Sequence, residues 1–346
     1  MDSDQRKKVF RILLFLAALL LFYKIMQRNE EKTQLFQVTG QTMGTVPYNV
    51  KYLTTEGNYQ AGIDSLLVAF NQSLSTYIPD SEISRFNKND TLVHETPLFF
   101  PVLEESQRVF QVTEGAFDPT IGPLVNAWGF GPDEALLNMD SSRIDSLLQY
   151  VGFSKIDFNT QYAAKPDGMY LDFSAIAKGY AVDLVSQYLE KKGISDYMVE
   201  IGGEVRTLGK NEKGKVWAIG IEDPMVTMDQ QEILAIVQLN NRAVATSGNY
   251  RNYYEEDGKI YAHIIDPRTG YTSDHNLLSA SVLASTCMRA DAYATAFMVM
   301  GLEKAKALVD QNEELDAIFV YRDTAGEIQT QITKGISESI SLDKTK

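Results

Sequence analysis

The sequence predicts an α+β fold: one compact domain with a ligand cleft, preceded by an N-terminal membrane anchor helix. Strand-like and helix-like patterns follow one another in mixed order, without an internal repeat. The chain has 346 residues, of which 44% are hydrophobic and 23% charged, as in a globular protein with a sizeable core. We expect the anchor at residues 1–26, a polar linker at 27–34 and the folded domain at 35–340.

The predicted anchor is an apolar run, residues 12–23, with basic residues on both sides. It falls short of the roughly 20 residues of a spanning helix. Residues 9–26 could still anchor in a bilayer if Arg11 and Lys24 extend to its interface. No small-residue cleavage site follows. We therefore expect an uncleaved signal anchor, with its basic flank in the cytoplasm and the bulk of the chain exported.

The first elements of the domain are two strands and three helices. Residues 35–53 alternate around Gly40 and Gly44, which predicts two strands joined by a turn. Apolar residues at helical spacing predict a helix over 63–74. A proline in the first turn and a later glycine support a helix over 101–112. Capping residues before 141–151 indicate a third helix.

Strands and helices then alternate. A helix is predicted over 175–191, and a helical pair over 290–311 is interrupted at Gly301. The last two predicted strands form a hairpin around the Ala325-Gly326 turn. Short apolar or alternating runs predict strands over 169–173, 197–201, 217–221, 232–239, 243–246, 278–283, 317–321 and 328–332.

Charge and cysteine content exclude several classes of protein. The net charge of −14 argues against nucleic acid as a partner, and a phosphate-bearing ligand would need a metal or a few well-placed cations. Cys287 is the only cysteine, which excludes an intramolecular disulfide and a cysteine-rich zinc site. The three histidines lack metal-ligand spacing, so zinc is not expected.

Asp291 and Thr295 are the most informative pair. Four residues apart in a predicted helix, they lie on the same face, among small and apolar neighbours. A buried carboxylate must be paired, hydrogen-bonded or bound to a metal, because an isolated charge is too costly. The pair is typical of half of a hard-cation site.

Polar residues also lie at the ends of other predicted elements. Asp172 and Lys178 lie where a strand runs into a helix, which suits either a plain cap or an anion site. His263 follows a strand and is either structural or a general acid or base. Arg251 lies in a small-polar loop suited to a phosphate or carboxylate. Polar-aromatic turns at 74–77 and 114–120 either frame a flat ring or are ordinary loops. Together these residues favour a nucleotide cleft.

Eight ordered motifs, spanning roughly residues 36 to 335, resemble those of the FAD:protein FMN transferase (ApbE) family. They are Gln-Thr-Met-Gly-Thr (41–45), Ser-Thr-Tyr (75–77), Ala-Phe-Asp-Pro-Thr (116–120), Asp-Phe-Ser-Ala-Ile-Ala-Lys-Gly-Tyr-Ala (172–181), Glu-Ile-Gly-Gly-Glu (200–204), Thr-Ser-Gly (246–248), His-Ile-Ile-Asp-Pro-Arg-Thr-Gly (263–270) and Ala-Asp-Ala-Tyr-Ala-Thr-Ala (290–296).

The resemblance implies a T-fold-like core and Mg²⁺-dependent transfer of FMN from FAD to a threonine hydroxyl of a target protein, with release of AMP. It also implies a location at the bacterial cytoplasmic (inner) membrane, with the catalytic domain on the periplasmic side. Many family members carry a lipid-modified cysteine near the N-terminus. This chain has none there, and a peptide anchor would replace it.

Site residues follow by matching position. The Mg²⁺ ligands would be Asp291, Thr295 and the backbone carbonyl of Ala175. Either His263 or an aspartate would take the threonine proton, and Asp291 is the second catalytic candidate. The residues expected to contact FAD are Met43, Tyr77, Ala116, Phe117, Asp118, Asp172, Lys178, Arg251, His263 and Ile265.

The expected partners are FAD and threonine-bearing membrane redox subunits, such as those of sodium-pumping NADH:quinone reductases or Rnf-type complexes. Three alternatives remain open. The chain could be an Mg²⁺-dependent FAD pyrophosphatase that yields FMN and AMP, a non-catalytic flavin-binding carrier, or a membrane-tethered assembly factor.

Overall fold

A computed structural model describes residues 5, 12–17, 19, 33–131, 139–225, 232–248, 253–256, 259–262, 264–273 and 275–342, and gives only the backbone for 253–256 and 259–262. The predicted anchor and linker fall almost entirely outside these residues. Residues 12–17 are helical and exposed. No helix within the described ranges is long and apolar enough to cross a membrane.

An eight-stranded sheet forms the centre of the domain. Neighbouring strands are all antiparallel, and their order is β1-β2-β6-β7-β10-β13-β14-β15. The strands of this sheet are β1 (Gln34–Thr42), β2 (Val46–Thr54), β6 (Tyr197–Ile201), β7 (Glu204–Leu208), β10 (Ala243–Gly248), β13 (Leu277–Ala284), β14 (Asp316–Arg322) and β15 (Ile328–Ile332).

Helices cover one face of this sheet. Alternate strand residues such as Val50, Val199 and Ala245 join the helices in the main hydrophobic core. The helices of the domain are α1 (Gln60–Leu74), α2 (Glu82–Lys88), α3 (Phe99–Val112), α4 (Gly122–Ala127), α5 (Ser141–Leu148), α6 (Ala177–Lys191), α7 (Cys287–Met300) and α8 (Leu302–Asp310).

A second, three-stranded sheet covers part of the opposite face. Its order is β16-β9-β8, with β8 (Trp217–Glu222), β9 (Ile233–Leu239) and β16 (Ile340–Leu342). It packs on Val205, Val244, Leu283 and Ile318, whose neighbours along each strand face the helices. The domain therefore has three layers: helices, the main sheet and the small sheet.

A smaller lobe joins one end of these layers. It contains the sheet β3-β5-β4, with β3 (Thr91–Val93), β4 (Asp157–Phe158) and β5 (Tyr162–Ala164). Helices α4 and α5 enclose a separate apolar cluster built on Leu124, Ile144, Val151 and Ile265. The described elements also include a two-stranded hairpin, β11 (Tyr253–Glu256) and β12 (Lys259–Ala262), and two short 3₁₀ helices, Phe153–Lys155 and Lys334–Ile336.

Most strands and long helices confirm the sequence prediction, including the interruption at Gly301 and the closing hairpin. The predicted strand over 169–173 is wrong. This segment makes a single parallel bridge, Tyr170 to Ile121, and the side chain of Asn87 bonds both backbone groups of Leu171. Strand β7 was not predicted, because its Glu-Val-Arg-Thr-Leu sequence is short and carries two charges.

Helices α6 and α7 cross unusually close to each other at Gly179. A Cβ atom at Gly179 would lie 2.2 Å from the carbonyl oxygen of Cys287 and 2.8 Å from Cβ of Asp291. Both atoms belong to α7, and the first is backbone that cannot rotate away. Only glycine permits this crossing.

We expect Gly179→Ala to lower the free energy of unfolding by about 1–3 kcal/mol, because a methyl group there forces the two helices apart. Urea unfolding curves of the wild type and the variant measure this loss. Gly57→Ala is the matched control, since a Cβ atom at Gly57 meets nothing within 4 Å. Equal losses in the two variants would contradict the close crossing.

Candidate active site

Asp183 of α6 fixes the start of α7. One carboxylate oxygen accepts the backbone N–H of Cys287 at 3.0 Å, and the other accepts that of Met288 at 2.8 Å. Arg206 of β7 donates to the same carboxylate at 2.8 Å. Burial raises the pKa of Asp183, although Arg206 and the two N–H groups oppose the rise. A single buried carboxylate thus ties α6, α7 and β7 together.

Asp291 occupies the next turn of α7 and is 2% exposed. Its Oδ2 accepts the backbone N–H of Gly179 at 2.9 Å. Its Oδ1 lies 3.8 Å from Nζ of Lys178, which is too long for a hydrogen bond. The carboxylate is therefore held from one side while the other oxygen keeps its capacity to bind a cation.

Lys178 is shared between two buried carboxylates. Its Nζ lies 3.0 Å from Oε1 of Glu204, on β7, and faces Asp291 at the longer distance. Burial alone would lower the pKa of Lys178, but the charges of Asp291 and Glu204 outweigh it and raise that pKa. The lysine therefore stays protonated at the centre of the cluster.

Glu204 is the member of this cluster to which the sequence assigned no role. It is 3% exposed, and its Oε2 has no hydrogen-bond partner among the described residues. Burial, reinforced by the Asp291 charge and opposed by Lys178, raises the pKa of Glu204 to about 7. The sequence does show an acid directly after the Gly202-Gly203 turn. Its partner Lys178, however, is 26 residues away (204 − 178), so the sequence does not indicate the pair.

The predicted cation ligands lie on α7 and just before α6. Thr295 lies one turn after Asp291, and its hydroxyl is 3.1 Å from that of Ser247 on β10. Ala175 lies just before α6, three residues ahead of Lys178. One carboxylate, one hydroxyl and a carbonyl are the hard oxygen donors that Mg²⁺ prefers, so these residues fit the ion. No three His, Cys, Asp or Glu side chains within the described ranges form a metal site.

Asp172 and Tyr77 lie near each other at the turn before α6. The backbone N–H of Ser174 donates to Asp172 at 2.8 Å, so Asp172 caps this turn, whereas α6 itself begins at Ala177. Burial raises the pKa of Asp172. The pKa of Tyr77 is raised mainly by local burial and, to a smaller extent, by the charge of Asp172. The Tyr77 side chain is nevertheless 71% exposed and can offer a ring face to a ligand.

The segment Ala116 to Asp118 is buried in the main domain. Asp118 Oδ1 accepts hydrogen bonds from the backbone and hydroxyl of Thr120, and its Oδ2 accepts one from the backbone of Phe153. Burial raises its pKa, and these bonds oppose the rise. The Asp118 carboxylate thus stabilises its own loop and ties it to the segment that begins at Phe153. Its predicted role as a FAD contact stays a prediction.

Of the remaining predicted residues, Met43 and Ile265 lie within the described part of the chain. Met43, half-buried, lies in the β1–β2 turn with φ +48°. Ile265 is buried in the apolar cluster of the smaller lobe. His263 and Arg251 lie outside the described residues. The described geometry therefore joins Lys178 to Asp291 and Asp172 to Tyr77, and leaves the other assignments as predictions.

Residues 43–319 match the sequence model of the ApbE family. FAD:protein FMN transferase of Haemophilus influenzae is 40% identical over 333 residues, covering 92% of this chain and 94% of the relative. The protein of the same name from Vibrio cholerae is 41% identical over 294 residues, covering 82% and 87%. The solved structure of flavin transferase ApbE from Vibrio cholerae superposes with a TM-score of 0.79 at 36% identity, covering 89% of this chain and 100% of that chain.

Fold and site together define a single α+β domain with an acid–lysine cluster, formed by Lys178, Asp291 and Glu204, beside the Gly202-Gly203 turn. The chain belongs to the ApbE family.

The raised pKa of Glu204 predicts a pH effect on the metal-free protein. A carboxyl with a folded pKa near 7 and an ordinary unfolded pKa stabilises the fold at low pH and loses that contribution as pH rises. From about pH 5 to about pH 8, we expect the wild type to lose stability relative to Glu204→Gln. Urea unfolding of both proteins in EDTA at several pH values measures the difference. Parallel pH profiles would contradict it.

Proposed function

We propose that this chain transfers FMN from FAD to a threonine hydroxyl of a target protein in an Mg²⁺-dependent reaction that releases AMP. Family membership and the names of the relatives support the coarse activity. The dependence on Mg²⁺ rests on the buried carboxylate of Asp291. One of its oxygens accepts the backbone N–H of Gly179, and the other lies 3.8 Å from Nζ of Lys178.

The bond changes define what the site must do. The threonine oxygen forms a bond to the phosphorus on the FMN side of the FAD pyrophosphate, and the bridging P–O bond breaks. AMP leaves with the bridging oxygen, and the hydroxyl proton passes to a base, for which His263 or an aspartate is the candidate. Such transfers depend on positioning and charge stabilisation more than on elaborate side-chain chemistry.

Each member of the cluster has a task in this reaction. Asp291, Thr295 and the Ala175 carbonyl would hold Mg²⁺, which when bound offsets charge on the pyrophosphate. Lys178 supplies a fixed positive charge beside the same carboxylate. Glu204 holds Lys178 at 3.0 Å and so keeps it from closing fully onto Asp291. Because the chain has a net charge of −14, binding of an anionic substrate would depend on the local positive charge of Lys178 and Mg²⁺.

The flavin would lie on the side of the cluster where Asp172 and Tyr77 meet. Tyr77 offers an exposed ring suited to stacking. Met43, the segment 116–118, Arg251, His263 and Ile265 are the further FAD contacts of this proposal.

We place the enzyme at the bacterial inner membrane, with its catalytic domain on the periplasmic side and residues 1–26 as an uncleaved anchor. The basic flank and apolar run support this orientation. The targets would be threonine-bearing redox subunits of sodium-pumping NADH:quinone reductase or Rnf-type complexes.

We expect Asp291→Asn to reduce labelling of an acceptor protein by FMN by at least about 100-fold, because the cluster loses the charge that holds the cation. In-gel flavin fluorescence and AMP release, both titrated with Mg²⁺, measure the effect. Asp310→Asn, at the exposed end of α8, is the matched control. Full labelling by Asp291→Asn would refute the metal assignment. AMP release without labelling would indicate the pyrophosphatase, and FAD binding without AMP would indicate the carrier.

For the anchor, we expect the full-length chain to sediment with membranes and a chain starting at residue 33 to stay in the supernatant, because residues 12–23 supply the apolar surface. Fractionation of cells producing each form, with intact mass of the membrane form, checks both location and processing. A membrane form lacking residues 1–26 would contradict the uncleaved anchor.

A further inference from the structure

Strand β8 lies at an edge of the small sheet. Within the described residues it pairs with β9 and leaves its other edge open along Ala218–Ile221. All four of these residues line a cavity of about 250 Å³. Since successive side chains of a strand point to opposite faces, a cavity lined by consecutive residues runs along the backbone edge.

The other wall of this cavity is a polar part of the main sheet. Asn49 and Lys51 of β2 and Glu200 of β6 line it, and Asn49 donates to Glu200 at 3.4 Å. The small sheet packs on Met198 of β6 and on β7, β10, β13 and β14, and it stops short of β2. The cavity therefore lies where the small sheet ends and the face of the main sheet is no longer covered.

One end of the cavity reaches the acid–lysine cluster. Gly202, Gly203, Glu204 and Thr246 line that end. A Cβ atom on Gly202 would lie only 3.2 Å from Cδ of Lys178 and 3.4 Å from Oε2 of Glu204. Glu204 thus lines the cavity directly, and the Gly202-Gly203 turn, which has no side chains, lies between the cavity and Lys178.

We propose that an extended segment of the acceptor protein docks here as an additional strand on the free edge of β8, and that its hydroxyl reaches the cluster across the Gly202-Gly203 turn. This inference rests on the proposed function, which requires a polypeptide substrate. An exposed strand edge offers backbone donors and acceptors that an extended chain satisfies.

The size of the cavity favours this occupant. At about 250 Å³ the cavity is smaller than the roughly 300–1,000 Å³ of pockets for drug-sized molecules, which favours a narrow extended chain over a dinucleotide. A few small residues of an extended chain do fit, and the added strand would continue the second layer over the polar face of β2 and β6. FAD would then occupy the Asp172–Tyr77 side while the acceptor approaches from the β8 side.

The test uses the full chain and its own acceptor. The acceptor is identified by mass spectrometry of the flavin-labelled protein in the host, and is then produced unlabelled in a strain lacking this enzyme. Ala218→Trp places a bulky side chain at the exposed edge of β8. Gln238→Trp is the matched control, since Gln238 is exposed and lies directly opposite Ala218 on β9, away from the free edge.

We expect Ala218→Trp to raise the KM for the acceptor by about tenfold or more, with the affinity for FAD unchanged, and Gln238→Trp to match the wild type. In the wild type, acceptor binding should slow hydrogen–deuterium exchange of the amides in Ala218–Ile221, a readout independent of any variant's folding. An unchanged acceptor KM in a folded Ala218→Trp, or unprotected β8 amides, would overturn the docking site. Failure of the wild type to label the acceptor at all would instead refute the proposed function.

Discussion

The close crossing of α6 and α7 is the constraint on which the site depends. Gly179 lets the two helices approach until its own N–H reaches Oδ2 of Asp291 at 2.9 Å. This backbone contact gives one oxygen of the buried carboxylate a hydrogen-bond donor, with no side chain involved. The other oxygen remains available to charge, because the flanking Lys178 stays 3.8 Å away. A wider crossing would leave Asp291 buried and unsatisfied, which is costly.

Two further buried carboxylates support this crossing. Asp183 binds the first turn of α7 and the guanidinium of Arg206, so it fixes where α7 begins relative to α6 and β7. Glu204 draws Lys178 toward β7. Both acids lie in the same region of the fold, and burial raises the pKa of each. The site is thus a set of charges held by one another and by backbone N–H groups, with the carboxylates buried and Lys178 partly exposed.

The layered sheets decide how two large substrates could reach the same cluster. Helices close one face of the main sheet, and the small sheet closes only part of the other. The cavity beside the small sheet extends to the Gly202-Gly203 turn, which lies next to Lys178. In the proposed arrangement, FAD and the acceptor polypeptide approach this turn from opposite sides.

Sequence alone predicted most strands and long helices, because apolar periodicity reports which face of each helix or strand is buried, but it missed β7 and placed a strand at 169–173. It also singled out Asp291 with Thr295, and Lys178 in a separate motif, since each stands out among small neighbours. Only the tertiary structure joined Lys178 to Asp291 and added Glu204 and Asp183. It also showed that Asp118 bonds Thr120 in its own loop and the backbone of Phe153. Periodicity is a local property. Contacts between residues more than a hundred positions apart depend on how closely two helices can pass, and in this chain that distance was set by a single missing methyl group at Gly179.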